Sequence, residues 1–231
     1  QGAGLAGVDA LVGRLRRGAE GPLHTACVEA LTTNETSFFR DVGVYRMLEK
    51  EVLPELVAAR QNQRRLRIWS AACSTGQEPY TVALLLAQAF PQLRDWDVEI
   101  LATDLDTQVL ERAREGVFSQ LEVNRGLPAP LLVRFFERAG AKWKLTDAVR
   151  RRVRFRQLNL TQRWPPLGTF DLVLLRNVLI YFDIETKREV LDRVLSLLPP
   201  DGGLVLGGSE TTTGVHDGSQ RTRLPSGAYY R

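Results

Sequence analysis

WSAACSTGQEPYTVALLLAQAF, residues 69–90, is the stretch whose reading decides the fold. It opens on the end of a buried strand, Leu66-Arg67-Ile68-Trp69, and passes through a turn of small residues from Ala71 to Gly76. Tyr80, Ala83, Leu84, Ala87 and Phe90 then recur at helical spacing. Pro79 suits the first helical turn, where its missing N–H costs nothing. Small side chains let a ligand lie close to the backbone, and a helix N-terminus presents free N–H groups and a partial positive charge. The stretch reads as the first βα unit of a nucleotide- or nucleoside-binding α/β fold. The alternative is an ordinary structural βα turn.

Downstream, Asp97 to Thr103 reads as a second strand ending at Asp104-Leu105-Asp106. A carboxylate at the tip of the second strand is where doubly wound folds bind ribose hydroxyls. Asp106 reads as the N-cap of a helix carrying Val109, Leu110 and Ala113, so one acid faces a ligand while the other caps. Residues 116–150 break the rhythm with Gly116, Gly126, Pro128, Pro130 and Gly140. A helix near Leu131–Glu137 and a strand-like Trp143-Lys144-Leu145 are expected there. The stretch is too long for a loop in a compact domain, so it reads as a small subdomain inserted on the substrate side. Val153 to Leu160 alternates like a half-buried strand, and Phe170 to Leu175 is a continuous apolar strand of a sheet centre. Arg176-Asn177-Val178-Leu179-Ile180-Tyr181-Phe182-Asp183 follows, with Asp171 at the strand's far end. A helix buries Val190, Leu191, Val194, Leu195 and Leu198; Leu204 to Gly208 and Ala228-Tyr229-Tyr230 read as strands, the last antiparallel to its neighbours.

Upstream, residues 1–50 read as a helical N-terminal domain, with 51–231 forming the α/β domain. Val8, Leu11, Val12 and Leu15 keep helical spacing, broken at Gly18 to Pro22, and helices are expected over 23–31 and 42–57. Between them TTNETSFFRD, residues 32–41, sets two aromatics beside polar side chains and an arginine. Read blandly, Asn34 or Thr36 caps a helix and both phenylalanines enter the core.

The chain has 231 residues, 44% of them hydrophobic, so it can bury a sizeable core. No apolar run approaches the roughly 20 residues that span a bilayer, and no signal peptide is visible. The chain starts at Gln1, as a trimmed one would. Cys27 and Cys73 are too few for a disulfide framework, which points to a reduced cytoplasm. With His24 and His216 the sole histidines, no metal centre is expected. The formal net charge is +4, and Arg150, Arg151, Arg152, Arg154 and Arg156 crowd together. Nucleic-acid binding, docking on an acidic protein and a solvated strand edge are the three readings of that run.

TTNETSFFRD, WSAACSTGQEPY, ATDLD, the Asn159-Leu160 pair and RNVLIYFD, in that order, resemble the chemotaxis receptor methyltransferases, the CheR family. The resemblance runs from about residue 32 to the C-terminus. It implies a Rossmann-like sheet with helices on both faces, binding S-adenosyl-L-methionine (SAM) and releasing S-adenosyl-L-homocysteine (SAH). A small helical N-terminal domain and a small inserted β subdomain complete the implied α/β fold. The implied activity is methyl transfer to glutamate side chains on chemoreceptor cytoplasmic helices by a cytoplasmic monomer that binds no nucleic acid and does not enter the membrane. Carried over residue by residue, the cofactor contacts fall on Asn34, Thr36, Arg40, Glu78, Asp104, Asn159, Leu160, Arg176 and Asn177. The catalytic arginine and tyrosine fall on Arg40 and Tyr181. Gln77 stands where relatives often carry an acid, and Arg14, Arg16 and Arg17 are the sole candidates for a basic docking helix.

The chemistry agrees with these residues. A glutamate carboxylate, with a reference pKa of about 4.3, is already ionised at neutral pH, so methyl transfer to it needs no general base. Three other classes are weighed against this one. A nucleic-acid methyltransferase would carry an Asn/Asp-Pro-Pro-aromatic signature where Arg176-Asn177-Val178 stands. An NAD oxidoreductase would carry G-x-G-x-x-G in the first turn. A non-catalytic SAM- or SAH-binding sensor or scaffold would not need Arg40 and Tyr181.

Overall fold

The computed structural model describes residues 7–17, 21, 27, 34–215, 221–224 and 227–230. The chain divides into two compact units, Gln1–Asn34 and Glu35–Arg231. In the first, a helix covers Val8–Arg17 and exposes Arg14. The helix expected over 23–31 lies, apart from Cys27, outside the described residues, as do the side chains of Arg16 and Arg17.

The second unit begins with a helical run, Val42–Met47, Leu48–Val52 and Leu53–Ala59. The middle segment is a π turn. Pro54 explains it: a proline has no N–H to return to the carbonyl four residues back, and its ring crowds that carbonyl. The run passes through residue 50, where the sequence reading set its domain boundary; the compact units instead divide after residue 34.

The main sheet has seven strands: β1 (Arg65–Ala71), β2 (Asp97–Asp104), β6 (Val153–Gln157), β7 (Leu172–Leu175), β8 (Gly203–Leu206), β9 (Arg221–Leu224) and β10 (Gly227–Tyr230). Their order is β6-β2-β1-β7-β8-β10-β9. Strands β6, β2, β1, β7 and β8 are parallel, and β10 lies antiparallel to β8 and β9. Val117–Ser119 (β3), Phe136–Ala139 (β4) and Lys142–Leu145 (β5) build a second, antiparallel sheet in the order β3-β5-β4. It lies in the segment expected to be an insertion.

Alternation along the strands builds two cores. Leu66 and Ile68 of β1 and Leu172 and Leu174 of β7 face the helix Gln77–Ala89. Trp69, Ala71, Val173 and Leu175 face Val190, Leu191 and Val194 of the helix Ile184–Leu195. Phe38 is fully buried in the first core, edge-on to Phe118 and Phe136 at centroid distances of 4.9 and 5.8 Å. Gly126 makes that approach possible, since a Cβ there would sit 2.0 Å from the Phe38 carbonyl oxygen. The inserted sheet and the segment before Arg40 therefore share one core.

Three expectations are corrected. The helix read over Leu131–Glu137 spans Ala129–Phe135, and Phe136 and Glu137 belong to β4. The helix after residue 41 starts at Val42, so neither Asn34 nor Thr36 caps it. Leu158, Asn159 and Leu160 lie beyond β6, which ends at Gln157. The arginine run lies on and before β6, an edge strand. Arg150 and Arg151 both pair with Asp147, and Arg154 with Glu99. Charge of this kind guards a sheet edge against further pairing.

Candidate functional site

In the parallel sheet, strand order runs one way from β1 through β2 to β6 and the other way from β7 to β8. The carboxyl ends of β1 and β7 flank this reversal, the place where open α/β sheets bind ligands. The loop after β1, Ala72 to Gly76, is largely buried and bonded to the end of β2: Cys73 N–H donates to the Thr103 carbonyl at 2.9 Å. Ser74 N–H donates to Asp104 Oδ2 at 2.8 Å, and Asp106 N–H donates to Asp104 Oδ1 at 3.0 Å. Burial pushes the Asp104 carboxyl above its ordinary pKa, against these two amide donors. Asp106 caps the helix Thr107–Glu115 by accepting from Gln108 and Val109 N–H. Asp106 is thus the cap that its spacing predicts.

Arg176 follows β7 directly and anchors the centre of the site. Its side chain is 1% exposed. It donates to Glu78 Oε2 at 2.9 Å, Asp41 Oδ2 at 2.6 Å, the Arg40 carbonyl at 3.0 Å and the Tyr45 hydroxyl at 3.4 Å. Its Nε is buried without a hydrogen-bond partner among the described residues. Ser70, on β1, donates its hydroxyl to Glu78 Oε1 at 2.7 Å. Burial works against the Arg176 charge, but the carboxylates of Glu78 and Asp41 and the Tyr45 hydroxyl outweigh it, so the guanidinium is held above its ordinary pKa. Burial first, then Glu78, pushes the Tyr45 hydroxyl up. One arginine thereby ties β1, β7, the helix Gln77–Ala89, the main chain at Arg40 and the side chain of Asp41 into a unit.

The remaining expected residues lie on several separate segments. Arg40 is half-buried and donates to the Glu35 carbonyl at 2.9 Å, while the preceding N–H, of Phe39, donates to Thr81 Oγ1 at 3.2 Å. Thr36 is half-buried in the same segment. Asn34 belongs to the other compact unit. Asn159 turns its Oδ1 back to Thr161, accepting from N–H and hydroxyl at 2.9 Å each, and Leu160 is buried. Asn177 adopts φ 58°, and Tyr181 ends the short turn Leu179–Tyr181 with 58% of its surface exposed. Backbone strain concentrates here. Phe39, Asp41, Ala72, Ser74 and Asn177 all have positive φ, a conformation non-glycine residues hold only when their surroundings impose it.

Sequence reasoning passed over Asp41, Tyr45, Ser70 and Glu210. Asp41 and Ser70 carried a signal, since they lie within the quoted motifs TTNETSFFRD and WSAACSTGQEPY. Glu210 accepts backbone N–H groups of Asn177, Val178, Leu179 and Gly207. No local pattern announces a contact that spans 33 residues.

The doubly wound sheet, the small-residue turn at its reversal and the carboxylate at the tip of β2 define the class: an α/β domain that holds a nucleoside-bearing cofactor. Within that class, residues 34–227 match the family described as CheR methyltransferase, SAM binding domain, and the chain belongs to that family. Chemotaxis protein methyltransferase 1 of Pseudomonas aeruginosa is 42% identical over 233 residues, covering 99% of this chain and 84% of that one. A chemotaxis protein methyltransferase of Vibrio parahaemolyticus is 42% identical over 227 residues, covering 96% and 79%. The chain is a SAM-dependent methyltransferase. Among the described residues, no helix is long and apolar enough to cross a membrane.

Proposed function

We propose that this chain transfers the methyl group of SAM to glutamate carboxylates on chemoreceptor cytoplasmic helices, forming glutamyl methyl esters during sensory adaptation. The observation that carries this reading is the Arg176 network: it fixes the main chain at Arg40 while the same strand end continues into the exposed Tyr181. The names of the relatives supply chemotaxis as the setting.

The donor set fits SAM. Among the described residues, the Ser74 and Asp106 N–H groups donate to Asp104, and Ser70 and Arg176 donate to Glu78, while a carboxylate has about four acceptor directions. Asp104 is thus free to accept from ribose hydroxyls and Glu78 from an ammonium group. The buried Arg176 Nε is a remaining donor at the same place. Thr36, Asn159, Leu160 and Asn177 complete the proposed cofactor contacts within this unit. SAM, when bound, supplies an electrophilic sulfonium methyl group.

The acceptor carboxylate arrives ionised, so the protein's work is alignment, which can supply roughly 7–11 kcal/mol. Arg40 orients the carboxylate through paired N–H groups. A tight grip would weaken the nucleophile, so its role is positioning of the acceptor rather than activation. Tyr181 offers an O–H and a ring edge to the acceptor. Because opposite charges cancel during transfer, a site that excludes water favours the transition state. Residues 116–150 form the substrate-side subdomain, and the enzyme works as a cytoplasmic monomer. Mass spectrometry of receptor cytoplasmic fragments after incubation with SAM tests this reading: one added methyl on glutamate side chains is expected, and methylation of added RNA or DNA instead would overturn it.

A further inference from the structure

Glu210 lies on the loop after β8 and is half-buried. Its Oε2 accepts from Gly207 N–H and Asn177 N–H at 2.7 Å each; its Oε1 accepts from Val178 N–H at 2.9 Å and Leu179 N–H at 2.8 Å. Four backbone donors match the four acceptor directions of a carboxylate. Three of the donors are consecutive, and such runs of N–H groups form concave anion sites. Here the anion is the protein's own side chain.

The clamp begins where the sheet stops. The last paired positions of β7 and β8 are Leu175 and Leu206, and the carboxylate takes over at Asn177 and Gly207. It is therefore not needed to align the strands. What it fixes is the backbone beyond them: Asn177 at φ 58°, then the turn closed by Tyr181 N–H donating to the Val178 carbonyl at 3.1 Å. Gly207 is part of the device, because a Cβ there would meet Glu210 Oε2 at 2.6 Å and Asn177 Nδ2 at 2.8 Å.

We infer that Glu210 is a positioning residue for methyl transfer: its carboxylate sets the backbone that aims Asn177 at the cofactor and Tyr181 at the methyl acceptor, without touching either ligand. The inference rests on the roles proposed above for Asn177 and Tyr181.

The test is a pair of assays on Glu210→Gln, which keeps the shape but turns one acceptor into a donor facing N–H groups. With saturating SAM and receptor, kcat is expected to fall about 10²-fold, the cost of a misplacement of about 1 Å. A double-mutant cycle with Tyr181→Phe is expected to be non-additive, the tyrosine change costing several-fold less in the Glu210→Gln background. Asp171→Asn is the structural control. Asp171 accepts from Arg60 Nε at 2.6 Å and Arg67 N–H at 2.7 Å near the start of β7, so its kcat is expected within two-fold of wild type. Gly207→Ala, which pushes the carboxylate away without deleting it, repeats the test if Glu210→Gln does not fold. A kcat near wild type, or a strictly additive cycle, overturns the inference. SAH titration calorimetry needs no methyl acceptor and keeps the two claims apart. If wild type binds SAH but methylates no receptor, the proposed function falls. Glu210 is then judged by SAH affinity alone, expected about ten-fold weaker in Glu210→Gln; an unchanged affinity overturns the inference.

Discussion

Replacing Arg176 by methionine removes a buried charge while keeping much of its bulk. The side chain is 1% exposed, its partner Glu78 is 12% exposed and its partner Asp41 is 49% exposed. The Asp41 pair is half in water and contributes at most about 1 kcal/mol. The weight falls on Glu78, which would keep the Ser70 hydroxyl but lose its counter-charge. Leaving one member of a buried pair uncompensated costs about 3–5 kcal/mol. For a chain of this size each kcal/mol moves Tm by about 2–4 °C, so Arg176→Met should melt about 6–20 °C below wild type. Adding Glu78→Gln removes the orphaned charge, and the double variant should recover most of the loss. Urea unfolding of the four ligand-free proteins, followed by circular dichroism, closes the cycle. A single-variant loss below about 1 kcal/mol, or a double-variant loss equal to the sum of the two singles, would refute the claim that Arg176 and Glu78 hold the site together as one charged pair.

Three further outcomes follow from the same geometry. Arg40→Ala should lower kcat by about 10²-fold, as lost alignment does, while stability stays within about 0.5 kcal/mol because the side chain is half-buried and donates to the carbonyl of nearby Glu35; retained activity would remove Arg40 from the mechanism. Asp104 titrates above 3.8 because it is buried, so SAH affinity should weaken as pH falls toward that raised value, and the slope should flatten in Asp104→Asn. In the ligand-free protein the sign reverses: between 3.8 and the raised value the folded state binds more protons than the unfolded chain, so this group's contribution to stability falls as pH rises. Phe38→Ala empties a fully buried ring site between Phe118 and Phe136 and should cost about 3–5 kcal/mol by denaturant titration.

What the sequence disclosed follows from the range of its signals. Strand β7 was legible because Leu172 to Leu175 is an unbroken apolar run, and the run is unbroken because both sheet faces are covered. Asp106 was legible as a cap because its partners are two and three residues away. Strand β4, Phe-Glu-Arg-Ala, shows no alternation because only Phe136 is buried, so it was absorbed into the helix before it. Strand β9 had no apolar pattern to announce it. The motifs pointed to the reversal of the sheet, but the Arg176 and Glu210 networks join residues up to 136 positions apart and exist only once the sheet has formed. Phe38 and Phe39 look alike in sequence, yet only Phe38 is fully buried; Phe39 stays half-exposed at positive φ beside Tyr45.

The central claim is that the methyl acceptor is a carboxylate. Its most direct test uses SAM labelled in the methyl group, this protein and receptor-containing membranes, with the labelled receptor bands then treated with mild alkali. A carboxylate acceptor yields an ester, so the label should leave as methanol. Label that resists alkali would mean methylation at nitrogen and would contradict the account.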